Sequence, residues 1–168
     1  VWTDYDSSFH KGKGNIKDKK YFIFFRKELL NKKILGVERR AKNVLINVSG
    51  NRTILVHMKM TGHLLYGKYK FQNNKWLPVD DGPLADPFNR FIHLAFSLSN
   101  KNTLVLSDTR KFAKVFVFDT DKFYETADLK KLGPEPLEKG FTYKIFKERL
   151  NKKPNGKIKT MYLYYDYL

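Results

Sequence analysis

The stretch from residue 44 to residue 60 does most to limit what this chain can fold into. Apolar side chains recur at every second position through Val44, Ile46 and Val48, a Ser49-Gly50-Asn51 break follows, and the pattern resumes through Ile54, Val56 and Met58. A period of two puts each set on one face of an extended chain, and a short Gly/Asn turn between such runs closes an antiparallel hairpin. An apolar sheet face needs a second layer to cover it. Extended segments are expected at 34–48 and 53–60, with a second hairpin from 91–98 and 103–107 and a short strand at 115–118. Residues 1–19 read as irregular, and 66–90 as a polar loop or weak hairpin around Trp76. Helices are expected at 21–30, 120–129 and 142–150, the first with Asp18 as N-cap and with Phe22, Phe25 and Leu29 at helical spacing. Gly133-Pro134-Glu135-Pro136 separates the last two. The expected fold class is mainly β with flanking helices, a two-layer antiparallel β-sandwich, in a single domain.

Charge narrows the function. Thirty-three Lys and Arg stand against 17 Asp and Glu, a formal net charge of +16 over 168 residues. That surplus suits a polyanion: nucleic acid first, an anionic membrane surface second. The plainer reading is a scatter of surface lysines. The basic residues lie among aromatics and hairpins, whereas a membrane-surface protein favours one basic amphipathic helix. No apolar run approaches the roughly 20 residues of a membrane span, so no membrane is expected. Cysteine is absent, which removes disulfides and thiolate metal sites and is compatible with a reducing cytoplasm.

Local rules break at a few places. By period two, Lys42 and Arg40 continue the face of Val44, Ile46 and Val48, so Lys42 either snorkels out at the sheet's end or lines a cleft where it can move a proton. Met60, before Thr61-Gly62, is either core filler or an exposed apolar wedge. Asp108-Thr109-Arg110-Lys111-Phe112 is either a salt-bridged turn or a finger for DNA, with Arg110 reading a base and Phe112 wedging the stack. His57, His63 and His93 lack the close spacing of a metal site. No Walker motif, G-x-S-x-G or H-E-x-x-H is present.

In order, Arg39-Arg40-Ala41-Lys42-Asn43-Val44-Leu45, His57-Met58-Lys59-Met60-Thr61-Gly62, Asp108-Thr109-Arg110-Lys111-Phe112 and Leu132-Gly133-Pro134-Glu135-Pro136-Leu137 resemble the formamidopyrimidine-DNA glycosylase family, over roughly residues 30 to 160. The resemblance implies a DNA glycosylase and AP lyase of base-excision repair that flips out and removes oxidised purines such as 8-oxoguanine and formamidopyrimidines. An amino-terminal proline attacks C1′ in that family to form a Schiff base, and a neighbouring glutamate assists. Lys42 falls on the family's proton-transfer and phosphate-contacting lysine. Met60, Arg110 and Phe112 match its void-filling trio, and Arg40, Arg90 and Lys157 are further candidate DNA contacts. The implied partner is double-stranded DNA with oxidised purines or abasic sites, bound by a monomeric, cytoplasmic, nucleoid-associated bacterial protein.

The chain departs from the family at both ends. It begins Val1-Trp2-Thr3 where the family has Pro-Glu-Leu-Pro-Glu, and Phe91 stands where a phosphate-contacting histidine is common. Residues 161–168 diverge from the leucine-rich helix expected there. The expectation is a partial N-terminal domain over 1–160 with a divergent tail, a gene fragment with a frameshift near position 161. The helix-two-turn-helix and zinc-finger domain would be missing, so no cofactor is expected in this chain and zinc only in that domain. Duplex binding without efficient Schiff-base chemistry is expected, a binding module being the alternative to the enzyme. A basic RNA- or ribosome-associated domain is a third reading, on charge alone.

Overall fold

The structure, a computed structural model, describes residues 1–130 and 132–151. Strands β1 (Trp2–Thr3), β8 (Ile92–Ser97), β9 (Thr103–Asp108) and β5 (Gly62–Gly67) form one antiparallel sheet in that order. The other is β10 (Lys114–Asp119), β4 (Arg52–His57), β3 (Asn43–Val48) and β2 (Ile34–Arg40). Two further strands, β6 (Tyr69–Gln72) and β7 (Lys75–Pro78), make a separate hairpin, and the helices are α1 (Lys19–Leu29), α2 (Ala127–Lys130) and α3 (Tyr143–Asn151). The expected two-layer sandwich is what forms.

The period-two pattern explains the packing. Ile46, Val48, Ile54, Val56, Val115 and Val117 turn inward to meet Leu94, Phe96 and Leu106 of the other sheet. Burying each such side chain contributes about 1.5–3 kcal/mol. Helix α1 inserts Phe25 and Leu29 into the same core, and the Asp18 carboxylate caps it by accepting the Lys20 amide at 2.9 Å. On the outer faces, Leu45, Leu55 and Phe116 pack with Leu129 of α2, while Ile92, Ala95 and Val105 lie under Trp2 and Trp76.

Several expectations need correction. Residues 34–48 are not one strand: the chain folds back at Ala41-Lys42, where Ala41 takes φ 52°. Lys42 is therefore a turn residue and does not continue the apolar face. Strand β4 stops at His57, three residues earlier than expected, because Lys59 takes φ 58°. Strand β5 was not anticipated; Gly62 and Gly67 bracket a run that becomes a strand only by pairing with β9. Of the two readings of the region around Trp76, the hairpin is the one that forms, closed by Asn73 and Asn74 at φ 51° and 60°. Within residues 1–19, Trp2 and Thr3 pair with Ala95 and Leu94. Residues 120–129 divide into a 3-10 segment, Thr120–Glu125, and the short α2.

Candidate nucleic-acid interface

One end of the sandwich gathers the residues singled out by sequence. Asn43, His57 and Lys114 are aligned across β3, β4 and β10, and the exposed Lys42 precedes Asn43 in the β2–β3 turn. Beyond β4 the chain makes a tight turn in which the Gly62 amide donates to the Met58 carbonyl at 3.0 Å. A Cβ at position 62 would lie 2.5 Å from that carbonyl oxygen, so glycine is required. The turn lifts Met60 clear of the core, 77% exposed. The Arg110 guanidinium touches the Met60 sulfur at 3.4 Å and lies 4.5 Å from the Phe112 ring centroid. Met60 is thus no core filler. Met60, Arg110 and Phe112 meet on one exposed tip.

Asp108 holds that tip together. Its side chain is fully buried and accepts from the Thr61 hydroxyl, from the Ala113 amide at 2.7 Å and from the Arg110 amide at 3.3 Å. One carboxylate therefore ties the 58–62 turn to the 109–113 loop through charge-assisted bonds. The buried Lys17 ammonium donates to the Lys111 carbonyl at 2.6 Å. Burial pushes its pKa down and the Lys59 charge adds to this, while Asp108 opposes it. Burial, then the Lys59 charge, also lowers the His57 pKa, and His57 Nδ1 accepts the Lys59 amide at 3.1 Å. His57 is therefore neutral at neutral pH, and the cationic character of this end comes from its lysines and arginines.

Sequence reasoning missed Glu135. Its buried carboxylate accepts the Ala41 amide at 2.6 Å and pairs with Arg39 at 2.8 Å and Arg40 at 2.9 Å. Arg40 also donates to the Gly133 carbonyl, and Arg39 to the Ala41 carbonyl at 2.9 Å. Burial alone would raise the Glu135 pKa, but the Ala41 amide and both guanidiniums hold the carboxyl below its usual range. The clamp explains how a non-glycine residue keeps a left-handed φ at Ala41, and it aims the Lys42 turn outward. Two adjacent arginines and a carboxylate between prolines were the available signal. Their separation of nearly a hundred residues hid the pairing.

Arg90 is exposed, 4.8 Å from the Phe91 ring centroid, in a segment tied to the tip where the Asp108 amide donates to the Phe91 carbonyl at 2.9 Å. Lys157 and the divergent residues 161–168 lie outside the described residues. Among the described residues no group of His, Cys, Asp or Glu is placed to hold a metal ion, and no helix is long and apolar enough to cross a membrane.

Known proteins share the family motifs and the fold of this chain. The model of the formamidopyrimidine-DNA glycosylase N-terminal domain matches residues 10–115. A formamidopyrimidine-DNA glycosylase of Pelotomaculum thermopropionicum is 35% identical over 139 residues, covering 83% of this chain and 45% of the relative. One from Lactobacillus acidophilus is 35% identical over 129 residues, 77% of this chain and 41% of its own. The solved Lactococcus lactis enzyme, non-covalently bound to DNA containing an AP site, aligns with a TM-score of 0.68 at 27% identity, over 87% of this chain and 50% of that one. MutM in complex with carbocyclic 8-oxo-G containing DNA gives a TM-score of 0.68 at 27% identity, over 88% and 49%. The chain spans about half the length of the relatives it matches.

Proposed function

The chain belongs to the formamidopyrimidine-DNA glycosylase family, and from that premise we propose that it is the DNA-gripping domain of a base-excision repair enzyme for oxidised purines. The meeting of Met60, Arg110 and Phe112 on one exposed tip carries this reading. A flipped base leaves a gap in the stack, and an apolar wedge that fills it offsets the lost stacking. Met60 and Phe112 supply the wedge. Arg110, lying between them, addresses the base left without a partner. The Asp108 network keeps the tip rigid, so little ordering is required on binding.

Lys42, at the same end, is assigned to phosphate contact and to proton transfer during strand cleavage. Its lysine-rich surroundings favour the phosphate backbone. In a full-length relative, replacing this lysine with alanine should mostly slow strand cleavage, and replacing the arginine matched by Arg110 should mostly blunt discrimination of the opposite base. Equal loss of both activities in both variants would contradict these separate roles.

A second reading is damaged-DNA binding without chemistry, favoured by the tip itself: Met60, Arg110 and Phe112 grip by shape and charge, and none of the three is a reacting group. Borohydride reduction on an 8-oxoguanine duplex separates the readings, because a covalent adduct needs a reacting amine. Duplex binding without an efficient adduct is expected. An efficient adduct would overturn the binding-only reading, and no affinity for any duplex would overturn both.

A further inference from the structure

The loop between β1 and α1 plays no part in the reading above, yet it is built with care. Ser8–His10 forms a 3-10 turn, and Gly12 and Gly14 take φ of 74° and 58°. The Asp18 carboxylate, already capping α1, accepts the Gly12 amide at 2.6 Å, and the His10 ring lies 2.9 Å from the Ser7 hydroxyl. Here Phe9 is 74% exposed, with the Lys13 ammonium 3.4 Å from its ring centroid.

Its place in the fold is informative. The Ile16 amide donates to the Val115 carbonyl at 3.1 Å, which lays the end of the loop along the outer edge of β10. In strand order, Lys42 belongs to the β2–β3 side, the β4 and β10 loops carry the tip, and the Phe9 loop lies beyond β10. Three strand spacings put the loop roughly 15 Å across the end of the sandwich from β3. A cleft of about 640 Å³ runs between this loop and the tip. Lys17, Lys59, Arg110 and Lys111 contribute to its walls, against the carboxylate of Asp6, and both Phe9 and Phe112 line it.

We propose that the Phe9 loop is a second DNA contact, gripping the strand opposite the one engaged at Lys42. The inference rests on the DNA-binding reading given above. A tip inserted into a duplex has one backbone on either side, so cations flanking it on opposite sides meet opposite strands. Lys11 and Lys13 neutralise phosphates there, and Phe9 packs on a sugar or base, the pairing of aromatic and cationic groups that nucleic-acid surfaces use. The duplex is then held from both sides of the wedge.

The chain has no cysteine, so Phe9→Cys and Arg110→Cys each install a unique thiol. Each variant is mixed with duplexes carrying a stable abasic-site analogue and a disulfide-tethered nucleotide on one strand or the other. Phe9→Cys should cross-link to the strand opposite the abasic analogue, while Arg110→Cys reports that the tip is engaged. Cross-linking at 110 with none at 9, or at 9 only to the abasic strand, overturns this proposal and leaves the DNA reading standing. No cross-link from either, with no duplex binding by the unaltered chain, overturns both. As a second measurement, a Phe9→Ala, Lys11→Ala, Lys13→Ala variant should bind the duplex about 5- to 150-fold more weakly. All these side chains are exposed, so circular dichroism should be unaltered. Unchanged affinity would defeat the proposal.

Discussion

Arg110 lies between a thioether and an aromatic face, and on the proposed reading its guanidinium donates to a base edge. Replacing it with alanine should cut discrimination between duplexes with cytosine and with adenine opposite an abasic analogue by about 1–3 kcal/mol. The ratio of the two dissociation constants measures this directly. A uniform loss of affinity, with the ratio preserved, would make Arg110 a phosphate contact instead. On the same reading Met60 and Phe112 act through shape, so their truncation should weaken binding to the gapped duplex more than to intact DNA.

At the scale of elements, the β2–β3 turn depends on a carboxylate from far along the chain. Glu135→Gln should destabilise the fold by about 1–3 kcal/mol, since buried hydrogen bonds to two guanidiniums lose their charge; the partial exposure of Arg39 keeps the figure below that of a fully buried pair. The same group sets an acid limit. The Glu135 carboxyl is held below its usual range, so its contribution is complete above the unfolded pKa of about 4.3. It is lost as pH falls through the lower folded value, because the unfolded chain then binds the extra proton more readily. Urea midpoints measured from pH 7 down to pH 3 should fall less steeply in Glu135→Gln than in the parent. Parallel curves would mean that Glu135 does not govern acid stability.

For the molecule as a whole, the net charge of +16 makes association a salt-dependent event. The logarithm of the binding constant for duplex DNA should decline with the logarithm of salt concentration by about 0.9 per phosphate neutralised. Fluorescence anisotropy across a salt series gives that slope, and a flat line would remove the electrostatic basis of the DNA reading. Two sheets meeting at one end bring three separate loops to a common surface, which on the proposed DNA reading lets residues far apart in the chain meet one duplex.

The chain's pattern of residues was enough to establish the sandwich, because alternation is a local property: each strand's inward face is written in its own residues. It was enough, too, to single out Lys42, Met60, Arg110 and Phe112, whose types stand out from their surroundings. The tertiary structure alone decided how they are presented. Lys42 reads as part of a strand face until Glu135, recruited from the other end of the chain, pins a turn at Ala41. Met60 is exposed because Gly62 lets the backbone close on the Met58 carbonyl, and the tip is one object because Asp108 bonds to both loops. Each of these depends on a partner distant in sequence, and periodicity carries no information about such partners.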